Sequence, residues 1–245
     1  MKASKLIIAA ALATAFAAGA HAQGKSEVNL KNAAQTQVGG LANKQSAAIG
    51  NVQGNGKSKV NASNIAQTQV GGLANKQDLN IGNVKGDGKS DVNAKNIAQT
   101  QVGGLANKQE MNLGNVKGGG SSKVTASNLA QTQVGGLANK QSAAIGNVQG
   151  DGKSKVNASN IAQTQVGGLA NKQNLNIGNV QGDGKSDVNA KNIAQTQVGG
   201  LANKQDMNLG NVKGGGSSKV TASNLSQTQV GGLANKQTMD VGNVK

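Results

Sequence analysis

From residue 25 onward, apolar and polar residues follow a pattern that returns every 32 positions without insertion or deletion. Within residues 73–84, Leu73, Asn75, Gln77, Leu79, Ile81 and Asn83 keep their character from copy to copy. The slots between them hold Lys76, Asn80 and a variable position filled by Asp78, Glu110, Ser142, Asn174 or Thr238. Period-two alternation of this kind predicts a β-strand with one buried face, here Leu73, Asn75, Gln77, Leu79, Ile81 and Asn83. Residues 59–70 are less regular: Val60 and Ala62 alternate with Lys59 and Ser63, and then Ile65, Gln67 and Gln69 fall on the opposite parity. Either a bulge or corner at Asn64, and by the same apolar-Asn-apolar-small-Asn motif at Asn83, shifts the phase, because Asn tolerates left-handed backbone, or a straight strand is buried on both sides.

Two glycine-rich turns punctuate each copy: Gly71-Gly72, repeated as Gly103-Gly104, and Gly86-Asp87-Gly88, varied as Gly54-Asn55-Gly56 or Gly118-Gly119-Gly120. Each unit therefore reads as strand, turn, strand, turn. No 3.6-residue apolar stripe appears, so a helix is not expected. The units are residues 25–56, 57–88, 89–120, 121–152, 153–184, 185–216 and a shorter 217–245. Residues 23–245 are thereby predicted to be one seven-repeat, all-β, amyloid-like domain, a parallel β-solenoid of stacked strand-turn-strand layers. Seven layers spaced about 4.8 Å make a body about 35 Å long. The first unit departs most, with Leu30 and Ala33 in place of the usual residues, as expected of a terminal cap. Residues 45–65 and 141–161 differ at a single position, which indicates duplication of a three-unit block.

The stretch Gln-Thr-Gln-Val-Gly-Gly-Leu-Ala-Asn-Lys-Gln is identical in all seven units. Stacking in register would place Asn75 over Asn107 and Gln77 over Gln109, letting each amide donate to one neighbour and accept from the other. The expected ladder positions are Gln67, Gln69, Asn75 and Gln77, then Gln99, Gln101, Asn107 and Gln109, and likewise Gln163, Gln165, Asn171 and Gln173. Amide ladders beside dry apolar rows stabilise cross-β stacks, and an unpaired buried amide would cost roughly 1 to 3 kcal/mol. Val and Leu of the stretch, Val70 and Leu73, are expected to fill dry rows, and Gly71, Gly72, Gly103 and Gly104 to turn the chain.

The N-terminus differs in kind. Lys2 and Lys5, an apolar run over residues 6–18, and Ala20-His21-Ala22 predict a signal peptide, residues 1–22, cleaved after Ala22. The run is too short for a spanning helix, which needs about 20 apolar residues, so no integral membrane segment is expected in the mature form. Cleavage also removes Phe16 and His21, leaving no aromatic residue, His, Cys, Pro or Arg. Without Cys or His there is neither disulfide nor transition-metal site, and no recognisable nucleophile arrangement remains; enzyme activity and cofactors are not expected. The loop Gly86-Asp87-Gly88-Lys89-Ser90-Asp91 is similar to calcium loops, but other copies lack both acids.

Every basic residue is Lys, and the mature balance is 23 Lys against 10 acids. Lys44, Lys76, Lys108, Lys140, Lys172, Lys204 and Lys236 would form a solvent-facing row. It reads either as a solvated gatekeeper row that keeps the precursor from aggregating or as a sequence-independent contact for extracellular DNA or acidic polysaccharide.

Gln69-Val70-Gly71, the following Asn75 and Gln77, the strand-turn-strand unit and the aromatic-poor chain resemble the tandem repeats of curli-type bacterial functional amyloid subunits, and more loosely those of Fap-type fibrils. Curli repeats are shorter and place Asn one residue nearer the Gly. The resemblance spans residues 25–245 and implies a subunit exported through an outer-membrane secretion pore of a Gram-negative-type bacterium, meeting a nucleator at the cell surface and polymerising into the fibres of a biofilm matrix. End-to-end logic gives the same expectation: the last unit keeps its whole ladder stretch, so a further copy would satisfy its edge. The alternative is a monomeric secreted β-solenoid that binds polyanions or a surface, in an adhesin-like way. Ice binding through the row of Thr68, Thr100 and their equivalents is the weakest reading.

Overall fold

The computed structural model describes residues 17–21 and 25–244. It is all β: a parallel β-solenoid in which each 32-residue unit makes one rung. In the second rung a long strand, Lys57–Val70, leads through Gly71-Gly72 into a middle strand, Ala74–Ile81, and then a short strand, Val84–Lys85. The short strand was not expected from the alternation. Long strands stack in chain order into a seven-stranded sheet, while middle and short strands share a second sheet. Pairing joins each residue to the one 32 positions on, so that Gln67 lies against Gln99 and Gln77 against Gln109. Even the turns stack through the backbone, with Gly71 N–H donating to Val102 O at 2.8 Å and Leu105 N–H to Leu73 O at 2.9 Å.

Asn64 has φ of 54°, as do its six equivalents within two degrees. This left-handed residue flips the parity of the long strand, so Val60 and Ala62 before it and Ile65, Gln67 and Gln69 after it all point inward. Of the two readings of residues 59–70, the corner at Asn64 is the one realised. At the second site the corner residue is Gly82, with φ of 59°, rather than Asn83. A Cβ on Gly82 would run into Val92 Cγ2 and sit 2.7 Å from Ser90 Oγ, so no side chain fits there.

Between the sheets lies a thin aliphatic core of Leu79, Ile81, Val92, Ile97, Met111 and their equivalents in the inner rungs, all nearly inaccessible. A separate row, Val52, Val84, Val116, Val148, Val180 and Val212, fills the corner beside the short strands. Rows one residue wide, with identical or similar neighbours above and below, close-pack without aromatic rings.

Three inward assignments need correction. Leu73 is 50% exposed and Val70 37% exposed, so neither fills a dry row. Val70 follows inward-facing Gln69 and therefore points out, and Leu73 sits in the turn, one residue before the middle strand begins at Ala74. Asn83 is only half-buried, because Gly82 has already redirected the chain. The first unit is an ordinary rung rather than a distinct cap, with Val28, Leu30 and Ala33 only partly buried. On the other sheet its edge is joined in parallel by Ala17–His21, which pairs alongside residues 48–53. The expected cleavage position, Ala22, lies outside the described residues.

Candidate functional site

The interior of the stack holds four columns of buried amides. In the Gln67 column, Gln99 Nε2 donates to Gln67 Oε1 at 2.8 Å and also to Glu110 O, on the facing strand, at 3.2 Å. In the Gln69 column, Gln101 Nε2 donates to Gln69 Oε1 at 2.8 Å and to Lys108 O at 3.0 Å. From the opposite sheet, Gln109 Nε2 donates to Gln77 Oε1 at 2.9 Å and to Thr132 O at 3.1 Å. Higher in the stack the same bonds join Gln163 to Gln131, Gln165 to Gln133 and Gln173 to Gln141. Both amide hydrogens are thus used, one between rungs and one between sheets. That is how Gln99, Gln101, Gln109 and their equivalents in the inner rungs remain at 0 to 2% exposure without the desolvation cost of orphaned groups.

The fourth column runs the other way. Asn75 Nδ2 donates upward to Asn107 Oδ1 at 2.9 Å and back to Gly71 O at 2.7 Å, and Asn171 does the same toward Asn203 and Gly167. This column explains the second turn glycine. A Cβ on Gly104 would lie 2.7 Å from Asn75 Nδ2 and 2.8 Å from Asn107 Oδ1, whereas one on Gly103 would meet nothing closer than 3.7 Å. Gly71 and Gly103 are required for their φ of 74°, Gly72 and Gly104 for space as well.

Two further amide columns were not expected as ladders. Asn96 Nδ2 donates to Asn64 Oδ1 at 2.9 Å on the outside. At the corner, Asn115 donates to Asn83 Oδ1 from both its backbone N–H, at 2.9 Å, and its side chain, at 3.1 Å. The shared apolar-Asn-apolar-small-Asn motif marked both positions as corners, and the 32-residue identity makes any such Asn a column.

The Lys44 row is in water and unevenly paired. Lys76 bonds Asp78 at 2.8 Å, Lys108 bonds Glu110 at 2.7 Å and Lys204 bonds Asp206 at 3.0 Å, whereas Ser46, Ser142, Asn174 and Thr238 stand at the acid's position beside Lys44, Lys140, Lys172 and Lys236. The hydrogen bond and charge of Asp78 raise the Lys76 pKa. Burial pushes Glu110 up, but the hydrogen bond and charge of Lys108, with Lys76 and Lys140 nearby, outweigh it and leave its carboxyl below the ordinary glutamate range. The Thr68 row is half-buried and lies between the Gln columns on the outer side of the strand. Among the described residues, no three His, Cys, Asp or Glu side chains cluster as a metal site, and no helix is long and apolar enough to cross a membrane.

The last rung is open, and among the described residues the first is covered only along residues 48–53, by Ala17–His21. Met239 and Val241 are 41% and 38% exposed, where Met207 and Leu209, one rung below, are at 0%. Gln237 Nε2 donates down to Gln205 Oε1 at 2.8 Å, but among the described residues no donor reaches the Oε1 of Gln227, Gln229 or Gln237. At the other end Gln45 Nε2 bonds Thr68 O at 3.0 Å with no amide of the described residues below it, and Asn43 Oδ1 accepts from no described side chain. Fold and interior together define a parallel β-solenoid built on continuous buried amide ladders. Comparison with protein-family models, curated proteins and solved structures finds no match to the chain.

Proposed function

We propose that the chain is a secreted structural subunit that polymerises head to tail, through its end rungs, into extracellular fibres of a bacterial matrix. The observation that carries this reading is the complementarity of the two ends. Gln45 Nε2 of an incoming copy meets the vacant Gln237 Oε1, while the oppositely directed Asn column lets Asn235 Nδ2 donate to the incoming Asn43 Oδ1. Donor faces acceptor in both columns only when copies continue the stack in the same direction. Met239 and Val241 would be covered in the same step. An unpaired parallel edge with exposed apolar residues is the kind of surface that natural monomers blunt, and a heterologous contact that does not close generates a filament.

Export through an outer-membrane pore and a surface nucleator complete the reading, as the resemblance to curli-type repeats implies. Catalysis plays no part in it. The polyanion-binding alternative has less support, since three of the seven lysines in the Lys44 row already pair within the chain. Incubating residues 23–245 and following seeded growth tests the proposal. Seedable fibres with a meridional spacing of about 4.7 to 4.8 Å are expected; a protein that stays monomeric and folded at high concentration, with or without seeds, overturns it.

A further inference from the structure

The Val70-Gly-Gly-Leu73 turn leaves a feature that the end-to-end reading does not use. Val70 is 37% exposed and Leu73 is 50% exposed, and the equivalents in every rung are exposed at least as much, to within a percentage point. Among the described residues, all exposed large hydrophobics outside this edge are Met239, Val241 and Val244 of the open last rung. The apolar surface of the body is therefore gathered into one ridge along one narrow side. Neither side chain packs in the core, so the chain's own interior does not demand Val or Leu there. Yet the pair recurs in all seven units, while the position of Asp78, on the outer side of the middle strand, varies freely. Beside the ridge runs a trough of about 790 Å³, floored by Ala74 and its equivalents and edged by the Lys76 row.

We infer that this ridge is a lateral interface that pairs two copies of the chain side by side. The occupant is a second copy for three reasons. First, the ridge repeats the same two side chains at the spacing of adjacent strands, about 4.8 Å, and only a partner with the same period gives every rung an equivalent contact, as in a dry zipper between identical strands. Second, a half-exposed Leu and a third-exposed Val offer on the order of 100 Å² per rung, so seven rungs approach the roughly 800 Å² per partner of a standard interface. Third, the ridge carries no charge and the lysines lie along its rim, the usual arrangement of an apolar centre and a polar margin. A two-fold arrangement seats the leucines of each copy over the alanine-floored trough of the other. Large contiguous apolar patches on a soluble surface mark such contacts.

This pairing stands apart from end-to-end growth and can fail separately. Leu137 belongs to the fourth of the seven rungs, so in a two-fold pair with fully matched ridges it meets its own counterpart whether the copies run parallel or antiparallel. The chain contains no cysteine, so Leu137→Cys provides a single reporter. Under mild oxidation it should cross-link into covalent dimers at least tenfold faster than Asp151→Cys, placed in the exposed turn on the opposite side. Equal rates overturn the pairing. Replacing all seven ridge leucines by Ser, which leaves the core untouched, should halve the mass per unit length of fibres measured by scanning transmission electron microscopy; an unchanged value also overturns it. Cross-linked dimers without fibres would refute only the end-to-end reading, and fibres of single-copy mass per length without cross-links would refute only the lateral one.

Discussion

Gln133 in the middle of the stack tests whether the amide columns stabilise the fold or merely accompany it. Its side chain is fully buried, donates to Gln101 Oε1 at 2.8 Å and Lys140 O at 3.1 Å, and accepts from Gln165 Nε2 at 2.8 Å. Gln133→Leu keeps the approximate shape, strands two buried side-chain groups, Gln101 Oε1 and one hydrogen of Gln165, and removes one donor from the backbone carbonyl Lys140 O. Each orphan costs roughly 1 to 3 kcal/mol, and the added apolar burial offsets about 1 to 2 kcal/mol, so a net loss of about 2 kcal/mol is expected. Gln229→Leu is the matched control: Gln229, half-buried in the last rung, accepts from no described donor, so the change strands one side-chain group, Gln197 Oε1, with water free to reach Lys236 O, and the added apolar burial largely offsets that one loss. That change should cost the isolated chain less than about 1 kcal/mol. Urea unfolding followed by circular dichroism, with several probes because stacked rungs need not unfold in one step, reads both values. A triple variant, Leu at positions 101, 133 and 165, should cost much less than three single changes, since its internal contacts become apolar on both sides. Equal costs for Gln133→Leu and Gln229→Leu, or strict additivity in the triple variant, would refute the ladder account.

Neighbouring glycines should respond unequally: Gly135→Ala meets only the penalty of a φ of 75°, about 1 kcal/mol, whereas Gly136→Ala also drives a methyl to 2.7 Å from Asn107 Nδ2 and Asn139 Oδ1 and should cost at least about 1 kcal/mol more. Thermal melts of the two variants check this. At Asn128, with φ of 55°, Asn128→Val should destabilise by about 1 to 2 kcal/mol while Asn128→Gly largely preserves the fold; equal melting temperatures would contradict the left-handed corner. The depressed pKa of Glu110 means that the folded state binds its proton less readily than the unfolded chain. Its contribution is therefore complete above the ordinary glutamate value of about 4.3 and fades as pH falls through the lower folded value. The urea-midpoint gap between the parent chain and Glu110→Gln should shrink between pH 7 and pH 3, and a constant gap would exclude the Lys108 pairing as its cause.

Much of the architecture was legible because a period of 32 with no slippage leaves little choice. Residues facing each other across parallel neighbours must be copies of themselves, so identity along the chain becomes identity along the stack. Gln67, Gln69, Asn75 and Gln77 could be read as columns from that alone, since buried amides in register have a partner on each side. The parity break at Asn64 was legible too, because Asn is the common non-glycine residue that adopts left-handed backbone at low cost. Short-range alternation failed at its margins: it placed Leu73 inside because the phase was extended past the start of the strand, and it placed the second corner at Asn83 when Gly82 already made it.

By itself, then, the sequence determined the rung, its in-register stacking, the amide positions and the absence of any conventional aromatic core. Only the tertiary structure decided which way each column runs, that each buried Gln also ties one sheet to the other while Asn75 ties to its own turn, and that Val70 and Leu73 stand outside as a ridge. The reason is physical. Period and identity specify which residues are neighbours along the stack, but the direction of an amide dipole, and the side of a turn on which a residue emerges, depend on how the facing sheet presents its carbonyls and on where Gly72 leaves room for Asn75.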